Sequence, residues 1–162
     1  MSDGYSFRPV LGEDIPMLNA WLRTREVARW WGDPVQQALL LRDDLSEPRM
    51  AMEIVSFAGR PFAYCQHYDV HAWPQPHFVA LPAGSRAIDA FVGEPEMLGR
   101  GHGSAFLRML ASRLRKEGAP AVAIDPAAEN RRARRAYEKA GFRVEALVET
   151  GDGPALLMIY AD

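Results

Sequence analysis

The chain has 162 residues, a length that suits one domain, residues 1–162, with a sizeable core. Apolar residues make up 48%, charged residues 25%, and the formal net charge is -2, so no general attraction to nucleic acid or to an anionic membrane is expected. The single cysteine, Cys65, excludes an intrachain disulfide and a four-cysteine zinc site. No apolar run approaches the length of a transmembrane helix, and the N-terminus MSDGYSFRPV lacks the apolar centre of a signal peptide, so a cytoplasmic location is expected.

YSFRPV alternates and reads as a first strand. GEDIPMLNAWLRT follows as a helix, with Asp14 as its expected N-cap and Pro16 in the first turn. Ile15, Leu18 and Leu22 mark its apolar face, with Trp21 beside it. REVARWWGD is a short second helix stopped by Gly32, and DPVQQALLLRDDL restarts with Asp33 as N-cap and Pro34 at the first helical position. MAMEIVSF and FAYCQHYD around AGRP predict a hairpin. DVHAWPQPHFVALPAGS is rich in proline and aromatics and reads as an ordered excursion.

RAIDAFVG is the next strand, with Ile88, Ala90 and Val92 on one face and Asp89 and Phe91 on the other. GHGSAFLRMLASRLRKEG predicts a helix with Phe106, Leu107, Leu110 and Leu114 at helical spacing and Gly118 at its end. AVAID is a short buried strand, ENRRARRAYEKAG a helix ended by Gly141, and FRVEALVE and ALLMIY form a hairpin around TGDGP. The order is β-α-α-β-β-β-α-β-α-β-β: an α/β (mixed α+β) chain with a mixed sheet, not the regular alternation of a doubly wound fold.

Between the strand at 86–93 and the helix that follows lies MLGRGHGS, with glycines at 99, 101 and 103. No lysine precedes Ser104, so a Walker loop fails; the third glycine of G-x-G-x-x-G would fall on Ser104 or Phe106, so a dinucleotide fingerprint also fails. What remains is a glycine-rich helix N-terminus with Arg100 beside it. Its amides and dipole favour an anion, although the same pattern also makes a tight strand-to-helix turn.

LGRGHGS resembles the pyrophosphate loop of GNAT-type N-acetyltransferases, whose usual pattern is [QR]-x-x-G-x-[GA]. Gly101 and Gly103 match, while Leu98 replaces the usual Gln or Arg. IDPAAENRRARRAYEKAGF resembles the late helix of the same family, and the likeness covers essentially the whole chain. Within the family the sequence is most similar to aminoglycoside 6′-N-acetyltransferases, through WWG at 30–32, YCQHY at 64–68, AIDAFVG at 87–93 and DPAAEN at 125–130. A branch that acylates hydroxylysine-type amines in siderophore assembly shares some of these blocks. The resemblance implies a central sheet of about six to seven strands flanked by helices, acetyl-CoA as cosubstrate, and no metal. Its partners would be a small amine acceptor and CoA, on a monomer or homodimer.

The resemblance implies that Arg100, Gly101, His102, Gly103 and Ser104 hold the pyrophosphate, that the pantetheine arm runs beside Phe91, Val92 and Gly93, and that Asn130 touches it. It assigns Tyr137 the role of proton donor to the leaving thiolate, which a phenol of ordinary pKa near ~10 can serve; a buried aromatic is the alternative. Asp89 is expected as base or amine anchor. A carboxylate with an ordinary pKa of about 3.9 is a poor base for an alkylammonium, which favours the anchor. Asp125 reads either as a helix cap or as an ammonium contact, and the resemblance favours the second. Trp31 and Asp33 read as substrate wall and cation contact, or as core and cap. Gln66 and Tyr68 share a strand face and point either into a cleft or to solvent.

Other patterns carry less. His67, Asp69, His71 and His77 are close in sequence, but strand and loop need not bring them together on a metal. His71, Trp73 and His77 are expected to shape a flap on the substrate side. Cys65 reads as a small buried residue, and RRARR at 131–135 as a solvated helix face, within reach of CoA phosphates. The expected function is acetyl transfer from acetyl-CoA to a small cationic amine, most simply the 6′-amine of an aminoglycoside. The alternatives are another small-amine N-acyltransferase and a non-catalytic acyl-CoA-binding module.

Overall fold

The structure is a computed structural model that describes residues 4–161. The expectation that the chain lacks a secretion signal starts on residues 1–3, which lie outside the described residues. The elements run β1 (Tyr5–Pro9), α1 (Ile15–Leu22), α2 (Arg25–Trp31), α3 (Pro34–Asp44), β2 (Ala51–Phe57), β3 (Arg60–Asp69), β4 (Arg86–Val92), α4 (His102–Lys116), β5 (Val122–Ile124), α5 (Arg131–Ala140), β6 (Phe142–Thr150) and β7 (Gly153–Tyr160). The strands join in the order β1-β2-β3-β4-β5-β7-β6. β4 and β5 are parallel, whereas the β1–β2, β5–β7 and β6–β7 pairs are antiparallel, so the sheet is mixed as expected. Among the described residues no helix is long and apolar enough to cross a membrane.

The first third holds three helices where the expected order counts two. Thr24 is extended between α1 and α2, and its hydroxyl donates to the Trp21 carbonyl at 2.8 Å. Gly32, at φ 106, ends α2. Asp33 then caps α3, accepting from the Gln36 amide at 3.0 Å, with Pro34 next. Asp14 departs from expectation: it precedes α1 but makes no side-chain cap there. Its carboxylate turns back to accept from the Leu11 amide at 2.8 Å and from both Arg8 guanidinium nitrogens at 2.7 Å. That fork of charge-assisted bonds outcompetes a single cap, and Arg8 holds the Asp14 carboxyl below the usual carboxylate range.

The chain forms two compact units. One comprises residues 4–66 and 90–100, with a core around Leu18, Trp21, Leu22, Ile54, Tyr64 and Phe91. The other comprises residues 67–89 and 101–161. Its α4 buries Phe106, Leu107, Leu110 and Leu114, the face expected from their spacing. Each such side chain contributes about 2 kcal/mol by leaving water. The helix stops through a paired C-terminal motif: Gly118 N–H donates to Arg115 O at 3.0 Å and Ala119 N–H to Leu114 O at 3.0 Å, with Gly118 left-handed at φ 110.

Candidate active site

β4 and β5 pair through Arg86↔Val122 and Ala87↔Ala123. Extending that register by two residues sets Asp89 level with Asp125, the first residue beyond β5. The two-residue period places both carboxylates on the face shared by Ala87 and Ala123. Two phenols lie within electrostatic reach of this pair. Tyr68 comes from the end of β3 and is buried, its hydroxyl hydrogen-bonded to Gln75 and its ring edge-on to Trp73 at 5.5 Å. Tyr137 comes from α5. Burial first, then the charges of Asp89 and Asp125, pushes both phenols above their ordinary value.

Asp125 itself is pushed up to about 7 by burial; its own backbone amide opposes the shift, and the charge of Asp152 adds to it. A carboxyl so placed exchanges its proton near neutral pH. The phenols, by contrast, keep theirs. The group is therefore an acid pair facing two proton donors: suited to hold a cationic amine, receive a proton from it, and return one to a leaving group. Asp125 is not a helix cap. Asn130 caps α5 instead, its Oδ1 accepting from the Ala133 amide at 3.1 Å, so that oxygen already has a structural task.

The glycine loop has the backbone its composition calls for. Gly99 (φ 71) and Gly101 (φ 83) are left-handed, a conformation that costs other residues about 1 kcal/mol or more. The first bond of α4 runs from Ala105 N–H to Gly101 O at 3.1 Å. The amides of His102, Gly103 and Ser104 belong to the turn ahead of it, where a helix has no internal acceptor to offer. Arg100 is exposed and Ser104 buried.

In the other unit, Trp31 meets Phe91 edge-on at 5.0 Å and Tyr64 at 6.2 Å, so it packs on the core while staying half-exposed. Gln66 accepts from the Tyr64 hydroxyl at 2.6 Å. Gly93 is held by packing: a Cβ there would lie 2.2 Å from the Trp21 ring, and its amide donates to Phe62 O at 2.7 Å. That amide is therefore not available to polarise a thioester. Val92 lines a cavity of about 330 Å³ with Thr24, Arg25, Glu26, Arg29 and Leu98. The sequence offered no sign of the two arginines there, because Arg25 and Arg29 come beside Val92, far along the chain, only on folding.

The histidines go to separate partners. His67 Nδ1 lies 2.7 Å from Arg86, and burial holds His67 down to about 4. His71 Nε2 lies 2.9 Å from Leu81 O, and His77 Nε2 lies 2.9 Å from Asp125 Oδ2. His77 was expected only as part of a flap; a local reading carries no signal that it reaches Asp125. Cys65 is fully buried, as expected, and Arg131, Arg132, Arg134 and Arg135 are exposed on α5.

Residues 10–150 match the family model described as an acetyltransferase (GNAT) domain. The chain is 29% identical over 170 residues to the aminoglycoside N(6′)-acetyltransferase type 1 of Klebsiella pneumoniae, covering 98% of this chain and 83% of the relative. Two solved structures of AAC(6′)-Ib are each 29% identical to it. One, in complex with paromomycin and acetyl-CoA, superposes with a TM-score of 0.87 over 98% of this chain and 94% of that one. The other, an aminoglycoside acetyltransferase in complex with coenzyme A and kanamycin, superposes with a TM-score of 0.86 over 97% and 94%. With its sheet order, glycine loop and family match in agreement, the chain belongs to the GNAT acetyltransferases.

Proposed function

We propose that this protein transfers the acetyl group of acetyl-CoA to a primary amine of a small cationic acceptor, the 6′-amine of an aminoglycoside. The observation that carries the reading is the β4–β5 register, which, extended by two residues, sets Asp89 on β4 level with Asp125 just beyond β5, with Tyr68 and Tyr137 both within their electrostatic reach. The relatives' acceptors and the family match support it. In this reading residues 1–162 act as one catalytic domain in the cytoplasm, as a monomer or homodimer, with every named residue on one chain.

Acetyl-CoA brings an already activated thioester, so positioning supplies much of the rate. The amides of Gly101 to Ser104, with Arg100, hold the pyrophosphate at the start of α4. Phe91, Val92 and Gly93 flank the pantetheine arm, with Arg25 and Arg29 adding positive charge beside Val92. Asn130 bounds the arm from α5 through its amide nitrogen, since its oxygen caps the helix. Asp89 and Asp125 hold the acceptor ammonium and take up its proton, directly or through water. Tyr68 walls the acceptor beside the acids, and the family resemblance adds Trp31, Asp33 and Gln66 as acceptor contacts. The freed amine attacks the thioester carbonyl carbon, a C–N bond forms as the C–S bond breaks, the leaving thiolate takes the Tyr137 proton, and the phenolate regains one from the attacking nitrogen, directly or through water, leaving the neutral amide.

Thiol release from acetyl-CoA with kanamycin- and tobramycin-type acceptors, with hydroxylysine-like amines, and without acceptor tests the reading. Turnover on the aminoglycosides, with a 6′-N-acetyl product by mass spectrometry and NMR, is the expected result. Turnover confined to hydroxylysine-like amines replaces the acceptor; CoA binding without turnover on any amine removes catalysis altogether.

A further inference from the structure

The excursion between β3 and β4 delivers one side chain to the acid pair. Pro76–Phe78 forms a single 3-10 turn. Phe78 is fully buried and anchors it, and the His77 ring stacks obliquely on Phe78 with centroids 4.1 Å apart. The His77 side chain is only 3% exposed, against 19% for Asp125. Its Nε2 lies 2.9 Å from Asp125 Oδ2, and its Nδ1 is buried with no hydrogen-bond partner among the described residues.

That orphaned nitrogen restricts the protonation of the pair. An imidazolium would bury a charged N–H at Nδ1 with nothing to receive it, an arrangement that costs more than a neutral ring. Burial accordingly holds His77 below its ordinary value. Two arrangements remain. With Asp125 ionised, His77 is neutral and its Nε2–H donates to the carboxylate. With Asp125 protonated, its hydroxyl donates to Nε2 and the ring proton sits on Nδ1. The first leaves no N–H without an acceptor, so it is the better satisfied form, and it ties Oδ2 to the buried ring while the rest of the carboxylate keeps its exposure.

We propose that His77 is a positioning residue for acetyl transfer: a buried, neutral imidazole that fixes the Asp125 carboxylate by donating from Nε2 to Oδ2, so that the ionised acid is presented to the cationic acceptor. The proposal rests on the reading of Asp125 as an acceptor contact. The other groups acting on Asp125 and its neighbours are Asp89 on β4, Tyr68 on β3, Tyr137 on α5 and Asp152 in the β6–β7 turn. All are acidic or phenolic, so stabilising the Asp125 anion falls to its own backbone amide and to the one side-chain donor among the described residues, His77. Without it, the carboxyl titrates at higher pH and turns more freely.

Two measurements test this. Nitrogen NMR of the intact protein labelled at histidine reads the His77 tautomer without any substrate. A neutral Nε2–H ring at pH 8, with its signals moved by Asp125→Asn, is expected; an imidazolium titrating near pH 6.5, or signals indifferent to Asp125→Asn, overturns the proposal. Kinetics read the consequence. His77→Phe should raise the acceptor KM by roughly 10-fold to 100-fold, the range for losing a bond to a charged group, and move the acidic limb of kcat/KM to higher pH. KM for acetyl-CoA should stay unchanged. His77→Gln, whose amide nitrogen can replace Nε2, should recover most of the loss. Equal kinetics and pH profiles in wild type, His77→Phe and His77→Gln also overturn it. If no amine is acetylated by the wild type, the functional reading fails, while the NMR experiment still decides whether His77 holds Asp125.

Discussion

Glu94 and Asp125 are both carboxylates set against aromatic side chains, and their surroundings put them to different uses. Glu94 accepts from the Trp21 indole at 2.7 Å and pairs with Arg60 at 3.2 Å. Its charge is matched by a cation, and it anchors Trp21, around which that unit packs Phe91 and the glycine backbone at residue 93. Among the described residues Asp125 has no such cation beside it: a neutral-favouring histidine and further acidic and phenolic groups act on it instead. A matched carboxylate builds a wall. An unmatched one, held by a neutral donor, keeps a proton in play and invites a cationic guest.

The largest effect that sharpens this contrast comes from Tyr137→Phe. The packing area is retained and the proton donor is lost, so kcat should fall by about 100-fold with little change in CoA affinity. An unchanged kcat in steady-state assays would return Tyr137 to a purely structural role. On the wall side, Gly93→Ala should destabilise by about 3 kcal/mol, because the new methyl meets a Trp21 ring that is buried and pinned by Glu94. Urea unfolding with an unaltered midpoint would show that the ring has room to move.

Asp125→Asn tests the proton itself. Asp125 sits at about 7, above the ordinary carboxylate value near 3.8. Between those pH values the native state keeps a proton that the unfolded chain releases, so this group makes stability fall as pH rises from about 4 to about 7. The Asn variant lacks that term, and its Tm should exceed that of the wild type by roughly 5 °C more at pH 7.5 than at pH 4.5. Parallel Tm curves would place Asp125 among ordinary surface acids. The smallest effect belongs to Trp21→Phe, which loses the indole bond to Glu94 and part of its packing area. A cost of about 1–2 kcal/mol in stability, with kcat nearly unchanged, is expected; a collapse of activity would mean that the wall takes part in the chemistry.

Much of the fold was legible because its signals are short-ranged. Asp33 and Pro34 start α3, Gly118 and Gly141 end α4 and α5, and the spacing of Phe106, Leu107, Leu110 and Leu114 marks the buried face of α4, all within a turn or two of chain. Asp14 resisted the same logic. Its capping position is visible locally, but the competing Arg8 comes from the preceding strand with the right geometry for a fork.

By itself, then, the sequence determined the strands, most of the helix ends, the glycine-rich start of α4 and, through its motifs, the family. Only the tertiary structure decided the β4–β5 register that carries Asp89 and Asp125, that Gly93 is a glycine because Trp21 lies against it, and that His77 reaches Asp125. Caps and periodicity follow from hydrogen bonds spanning three or four residues. Register, close packing and buried polar pairs depend on strands and loops distant in sequence, which meet only after the sheet has formed.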